Sequence, residues 1–237
     1  MLLEDDLYNS YNFVGKKIFD TDSLTKVSLK PSLDLFIQES LIQNKPKPID
    51  VEVYTLVSGL PFSENLLKKL YVVKNEINEI LEKKLCYWVK PENLGVEYCV
   101  LKWPKDIWNK QWLSQTIEYL ENEKYSSFDL IVSGIQIHQD GCIIAKGYDN
   151  KNIREIRSKL ISNLKFVPSK QSNWAHIPLG RILEPVSGEI FKKLKDIASK
   201  KSNIFFSLEK ITEAKLIYET KWYMEKRETL YTKKFQI

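Results

Sequence analysis

The sequence predicts an α+β fold in which two similar lobes, each an antiparallel sheet flanked by helices, face each other across a central cleft. A strand–helix–strand order occurs first over residues 51–101 and again over residues 142–183. Just before the second copy, Asp140-Gly141 separates two apolar runs, which is a strong signal for an antiparallel hairpin. Two copies of one plan, related by a pseudo-two-fold axis, would leave a cleft between them.

The composition is that of an ordinary globular protein. The chain has 237 residues, of which 43% are hydrophobic and 28% are charged, so it can bury a core without metal or disulfides. The net charge of +5 is spread along the chain, which permits an anionic ligand but does not favour duplex DNA as a partner. No two of the eight glycines have the G-x-G spacing, which excludes a dinucleotide-binding fingerprint and a P-loop.

The cysteines and the N-terminus indicate a cytoplasmic protein. Cys86, Cys99 and Cys142 are widely spaced and form no C-x-x-C motif, so we expect reduced thiols rather than a disulfide framework. Residues 1–6 carry acidic side chains where a signal peptide needs basic ones. No run of apolar residues is long enough to span a membrane. We therefore predict a cytoplasmic location and no membrane partner.

Residues 1–49 are predicted to form an N-terminal extension, and residues 50–237 a single bilobal domain. The extension contains one short helix near Leu33–Ile42 and ends in Asn44–Pro48, a stretch whose prolines cannot sustain a helix or a central strand. Whether the extension covers the cleft or packs behind it does not follow from the sequence.

The first copy of the repeated plan begins with a strand over Val51–Val57, in which alternate residues lie on one face. Ser63 is the expected N-cap of a helix that runs to about Lys84 with apolar residues at helical spacing. The second strand is expected over Leu94–Leu101. A helix rich in tryptophan follows over residues 105–124.

The second copy follows a strand over Phe128–His138 and starts with the returning hairpin strand Cys142–Tyr148. Asn150 is the expected cap of the next helix, which ends at Leu164, and a strand over Trp174–Leu183 closes the copy. The C-terminal elements are expected to be one helix and then three strands: 187–199, 204–208, 210–219 and 230–237.

Only two histidines are available for chemistry. Their number excludes a metal site built on several imidazoles. His138 precedes a hairpin turn, where we expect a solvated surface side chain. His176 lies in a strand whose alternation puts residues 176, 178 and 180 on one face. Arg181 is close by, and a guanidinium with an imidazole suits a phosphate group.

Two short motifs resemble those of a known superfamily. The segment from His176 to Arg181 reads H-I-P-L-G-R and resembles the second H-x-[ST]-L-x-R signature of the two-histidine (2H) phosphoesterases, which include 2'-5' RNA ligase-like proteins and cyclic phosphodiesterases. Residues 88–94 read W-V-K-P-E-N-L and resemble the approach to the first signature. The resemblance covers residues 50–237 and implies the bilobal α+β fold and a nucleotide or RNA end as ligand. We expect no cofactor and no metal.

The departures from the family pattern affect the site itself. Gly95 stands where the family has its first histidine, and Glu97 and Pro178 stand at its two Ser/Thr positions. Of the four histidine and Ser/Thr side chains in the two motifs, only His176 is kept. In the family, two histidines exchange protons across the phosphate, and removing one such partner typically costs about 10²–10⁴ in rate. Pro178 cannot donate a hydrogen bond. Glu97 should share the cleft with Gly95 and repel a phosphate.

Three functional hypotheses follow. In the first, the protein is catalytically impaired or repurposed and binds a nucleotide, an RNA end or another phosphorylated ligand in the cleft. In the second, it is an active, divergent phosphodiesterase in which Glu97 acts as general base with His176, and Arg181 binds the phosphate. In the third, it is a protein-interaction scaffold with the tryptophan-rich segment 103–112 exposed. The sequence does not specify an oligomeric state.

Overall fold

A computed structural model describes residues 5–236. Residues 1–4 of the predicted extension and Ile237, at the end of the last predicted strand, lie outside this range. The described chain contains the following α-helices: α1 Asp5–Gly15, α2 Lys30–Leu33, α3 Gln38–Ile42, α4 Glu64–Leu81, α5 Lys110–Asn122, α6 Asn152–Asn163 and α7 Gly188–Lys200.

The described strands are β1 Ser23–Leu24, β2 Asp50–Gly59, β3 Cys86–Trp88, β4 Gly95–Lys102, β5 Phe128–Ile137, β6 Cys142–Tyr148, β7 Ile177–Ile182, β8 Val186–Ser187, β9 Phe205–Ile211, β10 Glu213–Lys221 and β11 Lys226–Lys234.

Two antiparallel sheets form the body of the molecule. The first has four strands in the order β11-β10-β2-β4, and the second has five in the order β3-β7-β6-β5-β9. Each sheet contains one copy of the predicted strand–helix–strand plan, with β2 beside β4 and β6 beside β7. The predicted α+β class, with an antiparallel sheet in each lobe, is confirmed.

The helix of each copy packs towards the other lobe. Helix α4 follows β2 of the four-stranded sheet and leads into β3 of the five-stranded sheet, and it contacts β9 and α7. Helix α6 joins two strands of the five-stranded sheet but contacts β4, where the Arg157 guanidinium donates to the Tyr98 carbonyl. These exchanged helices tie the lobes together and hold β4 and β7 near each other.

The N-terminal segment contains more structure than the sequence indicated. Besides the helices that replace the single predicted one near Leu33–Ile42, it forms α1, which packs on the five-stranded sheet. Tyr11 of α1 is fully buried, and its hydroxyl lies 3.3 Å from the Gly147 carbonyl oxygen on β6. Ile18, Leu29 and Phe36 are also buried in the main hydrophobic core. The segment therefore supplies part of the core on the side of β6.

Several predicted boundaries are wrong for local reasons. Helix α5 begins at Lys110, five residues after its predicted start, because the Asn109 side chain caps it by accepting from the Gln111 amide. Helix α6 has its N-cap at Lys151 and not at Asn150, and the Asp149 carboxylate accepts from the Ile153 amide in the first turn. Strand β7 begins at Ile177, so its predicted first residues, 174–176, precede it. The last strand starts at residue 226, before its predicted position, because it pairs with β10 along its whole length.

Candidate functional site

A cavity of about 390 Å³ lies between the two sheets. Gly95 and Glu97 line it from the four-stranded sheet, and His176, Pro178 and Arg181 line it from the five-stranded sheet. All the site positions singled out in the sequence therefore meet at one place. The size is that of a small-molecule site.

Leu60 occupies the space beside Gly95. In the register of β2 and β4, Gly95 lies opposite Gly59, and the chain after Gly59 turns back over it. A Cβ atom at Gly95 would lie 3.2 Å from the Leu60 Cδ2 atom and 3.1 Å from the Ser58 carbonyl oxygen. The position where the family carries its first histidine thus lacks room for a side chain unless its neighbours move.

Glu97 is half-buried two residues further along β4 and faces the same cavity. Its Oε2 atom is 3.4 Å from the Thr55 hydroxyl, which lies nearer, at 3.1 Å, to the Cys99 carbonyl oxygen. Burial raises the pKa of Glu97 to about 7, although the positive charge of Arg157 behind the strand and the Thr55 contact both act to lower it. Around neutral pH this carboxyl is poised between its two protonation states.

Glu219 is a second carboxyl in the cavity, and no motif in the sequence singled it out. It lies on β10 and is only 3% exposed. The Met224 amide donates to its Oε1 atom over 2.8 Å. Burial raises the pKa of Glu219 to about 7, and the charge of Glu97 acts in the same direction. The sequence does carry a signal for this position. Glu219 follows Ile217 by two residues on a strand, so the two side chains lie on the same, buried face.

His176 directly precedes β7 and packs its ring edge-on against Trp174, with the ring centroids 5.6 Å apart. Its Nδ1 atom is buried and has no hydrogen-bond partner within residues 5–236. Burial lowers the pKa of His176 to about 4, and the nearby charges of Arg181 and Arg157 add to this effect. The imidazole is therefore neutral at pH 7.

His138 is not the solvated surface side chain that the hairpin position predicts. It is half-buried, and its ring packs edge-on against the same indole, Trp174, at a centroid distance of 5.4 Å. Its Nε2 atom lies 3.2 Å from the Gln136 Oε1 atom. Burial lowers the pKa of His138 to about 4. Both histidines of the chain thus pack on one tryptophan in their neutral form.

The Arg181 side chain is already engaged by the protein. Its Nη1 atom donates to Asp140 Oδ2 over 2.8 Å and to the Ser32 hydroxyl over 3.0 Å. Its Nε atom donates to the Tyr223 hydroxyl over 2.8 Å. Asp140 balances the guanidinium charge, and Nη2 is the nitrogen for which no hydrogen bond appears in the described chain. Arg181 can offer a ligand a hydrogen bond but little net positive charge.

The turn between β10 and β11, residues 222–225, forms one wall of the cavity through Trp222, Tyr223 and Met224. It is anchored to the opposite sheet, because Glu225 accepts from the Tyr87 hydroxyl over 2.6 Å and from the Lys90 ammonium. The Tyr223 ring also packs against Tyr87, with centroids 5.0 Å apart. This wall makes the cavity narrower and more apolar than an open cleft.

Comparison with known proteins identifies the fold. No family model matches the chain, and no curated protein sequence matches it significantly. Among solved structures, TT0787 of Thermus thermophilus is 14% identical over 78% of this chain and 98% of that chain, with a TM-score of 0.55. The chain has a LigT-like fold. E. coli LigT in its apo form is 10% identical over 79% of this chain and 99% of LigT, with a TM-score of 0.57.

A further structure, E. coli LigT complexed with ATP, is 12% identical over 79% of this chain and 100% of LigT, with a TM-score of 0.53. Another similar structure, described as a phosphoesterase, is 12% identical over 79% of this chain and 100% of that chain, with a TM-score of 0.53. These likenesses agree with the resemblance of the sequence to the 2H phosphoesterases at the level of the fold.

Membrane-spanning helices and metal-ligating clusters are both missing from residues 5–236. No helix there is long and apolar enough to cross a membrane. No three His, Cys, Asp or Glu side chains in that range are grouped so that they could hold a metal ion.

Proposed function

We propose that this protein binds a small molecule in the cavity between its sheets and does not hydrolyse phosphodiesters. The observation that carries the proposal is the packing of Leu60 against Gly95 beside an intact cavity. Gly95 supplies no proton-exchanging side chain and Leu60 crowds its Cβ position, while room for a ligand of ordinary size remains.

The protonation states of the remaining groups also oppose the two-histidine reaction. An acid–base catalyst works best when its pKa is near the operating pH. The low pKa of His176 makes it a poor acid–base group at neutral pH. Glu97 has a suitable pKa but lies in the same cavity as Glu219, and two carboxylates disfavour a bound phosphate. Pro178 supplies no donor to replace a hydroxyl.

A phosphorylated ligand, such as a nucleotide or an RNA end, is the second candidate. It is favoured by one specific observation, the crystallisation of LigT in complexes with ATP and with phosphate. In this chain the free Nη2 atom of Arg181 would be the donor to such a group. Three carboxyl groups oppose a phosphorylated ligand. Asp140 balances the charge of Arg181, and Glu97 and Glu219 line the cavity.

The scaffold hypothesis requires the tryptophan-rich segment to be exposed, and its rings instead pack within the molecule. Trp108 stacks on Tyr54 with a centroid distance of 4.3 Å, and Trp112 stacks on Phe166 at 4.9 Å. Both indoles are half-buried. The ring faces of Trp108 and Trp112 are therefore occupied within the molecule and are not free for a partner protein. This favours a role for the two tryptophans in stabilising the fold.

Hydrolysis of 2',3'-cyclic AMP tests the proposal directly. The wild type, His176→Ala and the control His138→Ala are incubated with the substrate, and the product is followed by chromatography beside an active two-histidine enzyme. We expect no product above background from any of the three. Hydrolysis by the wild type that His176→Ala abolishes and His138→Ala keeps would overturn the proposal and support Glu97 as general base.

A further inference from the structure

We infer that the cavity selects a small organic ammonium ion with an apolar body. This inference rests on the proposed function, since it names the class of ligand that the non-hydrolysing cavity would hold. Three features support it: the apolar lining of the cavity, the carboxyls that face it and the neutral imidazole beside them.

Most of the cavity wall is apolar or aromatic. A phosphate-binding cleft needs donors on its walls, but here hydrocarbon and indole groups dominate. Burial of an apolar ligand body against such groups is favourable, and indole rings also attract cations. The side chains that form this part of the wall include Leu35, Val57, Val89, Trp103, Trp222 and Met224.

The charged groups at the cavity favour a cation over an anion. The charge of Arg157 acts on Glu97 and that of Arg227 acts on Glu219. Neither carboxyl forms an ion pair in the described chain, so an ammonium ion would be the ion-pair partner that each lacks. The one cationic side chain of the lining, Arg181, is balanced by Asp140. Arg157 approaches Glu97 from behind β4, where it donates to main-chain carbonyls and lines a different pocket.

The unpartnered nitrogen of His176 is an independent indication of a ligand. Buried polar atoms are rarely left without a hydrogen bond, and those that are often await a ligand or water. The His176 Nδ1 atom is such an atom, on a side chain that lines the same cavity. A neutral imidazole nitrogen can accept from an ammonium N–H, and a primary ammonium carries three such donors.

Benzylammonium, benzyl alcohol and phenyl phosphate test the inference, because they share an aromatic ring and differ in charge. Each is titrated calorimetrically into the wild type at neutral pH. We expect benzylammonium to bind at least about tenfold more tightly than benzyl alcohol, and phenyl phosphate to bind most weakly. The difference in affinity between benzylammonium and benzyl alcohol isolates the contribution of the charge.

Variants connect the selectivity to the two carboxyls. We compare three variants: Glu97→Gln, Glu219→Gln and the combined variant that carries both substitutions. Each keeps the shape of the side chain and removes its negative charge. The combined variant should bind benzylammonium at least about tenfold less tightly and benzyl alcohol as before. Glu228→Gln is the matched control, since Glu228 is exposed and pairs with Tyr218 on the outer face of the same sheet.

Three results would overturn the inference: equal binding of the cation and the alcohol, tightest binding of phenyl phosphate, or binding of none of the probes. Cation affinity that the combined variant leaves unchanged would also overturn it. Failure of the proposed function appears separately, as His176-dependent hydrolysis of 2',3'-cyclic AMP. Cation selectivity together with such hydrolysis would contradict only the proposed function.

Discussion

The Arg181 guanidinium and the Asp140 carboxylate form an ion pair beside the cavity, with Nη1 and Oδ2 2.8 Å apart. The pair depends on the fold, because Asp140 is in the turn between β5 and β6 and Arg181 lies opposite Cys142 in the adjacent strand β7. Sequence reasoning assigned Arg181 to a phosphate. In the structure the partner of Arg181 is instead Asp140. Removing the Asp140 charge therefore tests how the Arg181 charge acts on a ligand in the cavity.

Replacing Asp140 by asparagine should make the cavity more attractive to anions. Asp140→Asn keeps the oxygen that accepts from the Cys142 amide and removes the charge that balances Arg181. We expect the affinity for phenyl phosphate to rise about tenfold at low ionic strength and the gain to shrink as salt is added. Calorimetric titration measures both effects.

The control for this experiment is Asp129→Asn. Asp129 lies on β5 of the same sheet and pairs with Lys210 at the surface, with half of its side chain exposed. This variant should leave phenyl phosphate binding unchanged. An unchanged affinity in Asp140→Asn as well would mean that the Arg181 charge does not act on ligands in the cavity.

A side chain at Gly95 should destabilise the protein through Leu60. Gly95→Ala places a Cβ atom 3.2 Å from Leu60 Cδ2 and 3.1 Å from the Ser58 carbonyl oxygen. Overpacking of this kind typically costs about 1–3 kcal/mol. The free energies of unfolding of the wild type, Gly95→Ala, Leu60→Ala and the double variant are measured by urea denaturation and form a double-mutant cycle. We expect Gly95→Ala to cost less stability in the Leu60→Ala background than in the wild type.

Additive effects in this cycle would show that Leu60 does not limit the space at Gly95. In that case Leu60 would not explain why a histidine is absent from this position, and the Ser58 carbonyl would be the remaining restriction.

Glu219 should make stability fall as the pH rises. Burial raises the folded-state pKa of this carboxyl from 4.5 to about 7. A group of this kind stabilises the folded state below its unfolded pKa, and that contribution is lost as the pH rises through the folded one. Glu219→Gln should therefore match the wild type at about pH 4 and exceed its stability at about pH 9 by at most about 3 kcal/mol.

Urea denaturation at the two pH values measures this difference, with Glu228→Gln as the exposed control. Glutamine can still accept from the Met224 amide, so the variant changes the charge and keeps the contact. A Glu219→Gln variant that is less stable than the wild type at both pH values would contradict a buried, unpaired carboxyl at this position.

The regular elements that carry the site could be predicted from the sequence. Strands β2, β4, β5 and β6 follow from alternating apolar residues, and the N-cap of α4 follows from Ser63, whose hydroxyl accepts from the Leu66 amide. These signals are local, since a few neighbouring residues determine them. The same alternation indicated that Gly95 and Glu97 share a face.

The features that decide the chemistry of the cavity depend on contacts between distant parts of the chain. Leu60 crowds the Cβ position of Gly95 only because the turn after β2 folds back over β4. Glu219 joins Glu97 because β10 and β4 pair with the two edges of β2. Helix α1 is stabilised by burial of Tyr11 against β6, a contact across 136 residues of sequence. One sequence without its relatives carries no direct signal for such pairings.

Titration of the two histidines by NMR tests the central claim most directly, because acid–base catalysis by His176 needs an imidazole that exchanges protons near neutral pH. The imidazole resonances of the wild type are followed as the pH is lowered and are assigned with His138→Gln. We predict that both histidines titrate at about pH 4, since burial lowers the pKa of each. A pKa of His176 at or above its ordinary 6.5 would contradict the account and restore a group suited to phosphodiester hydrolysis.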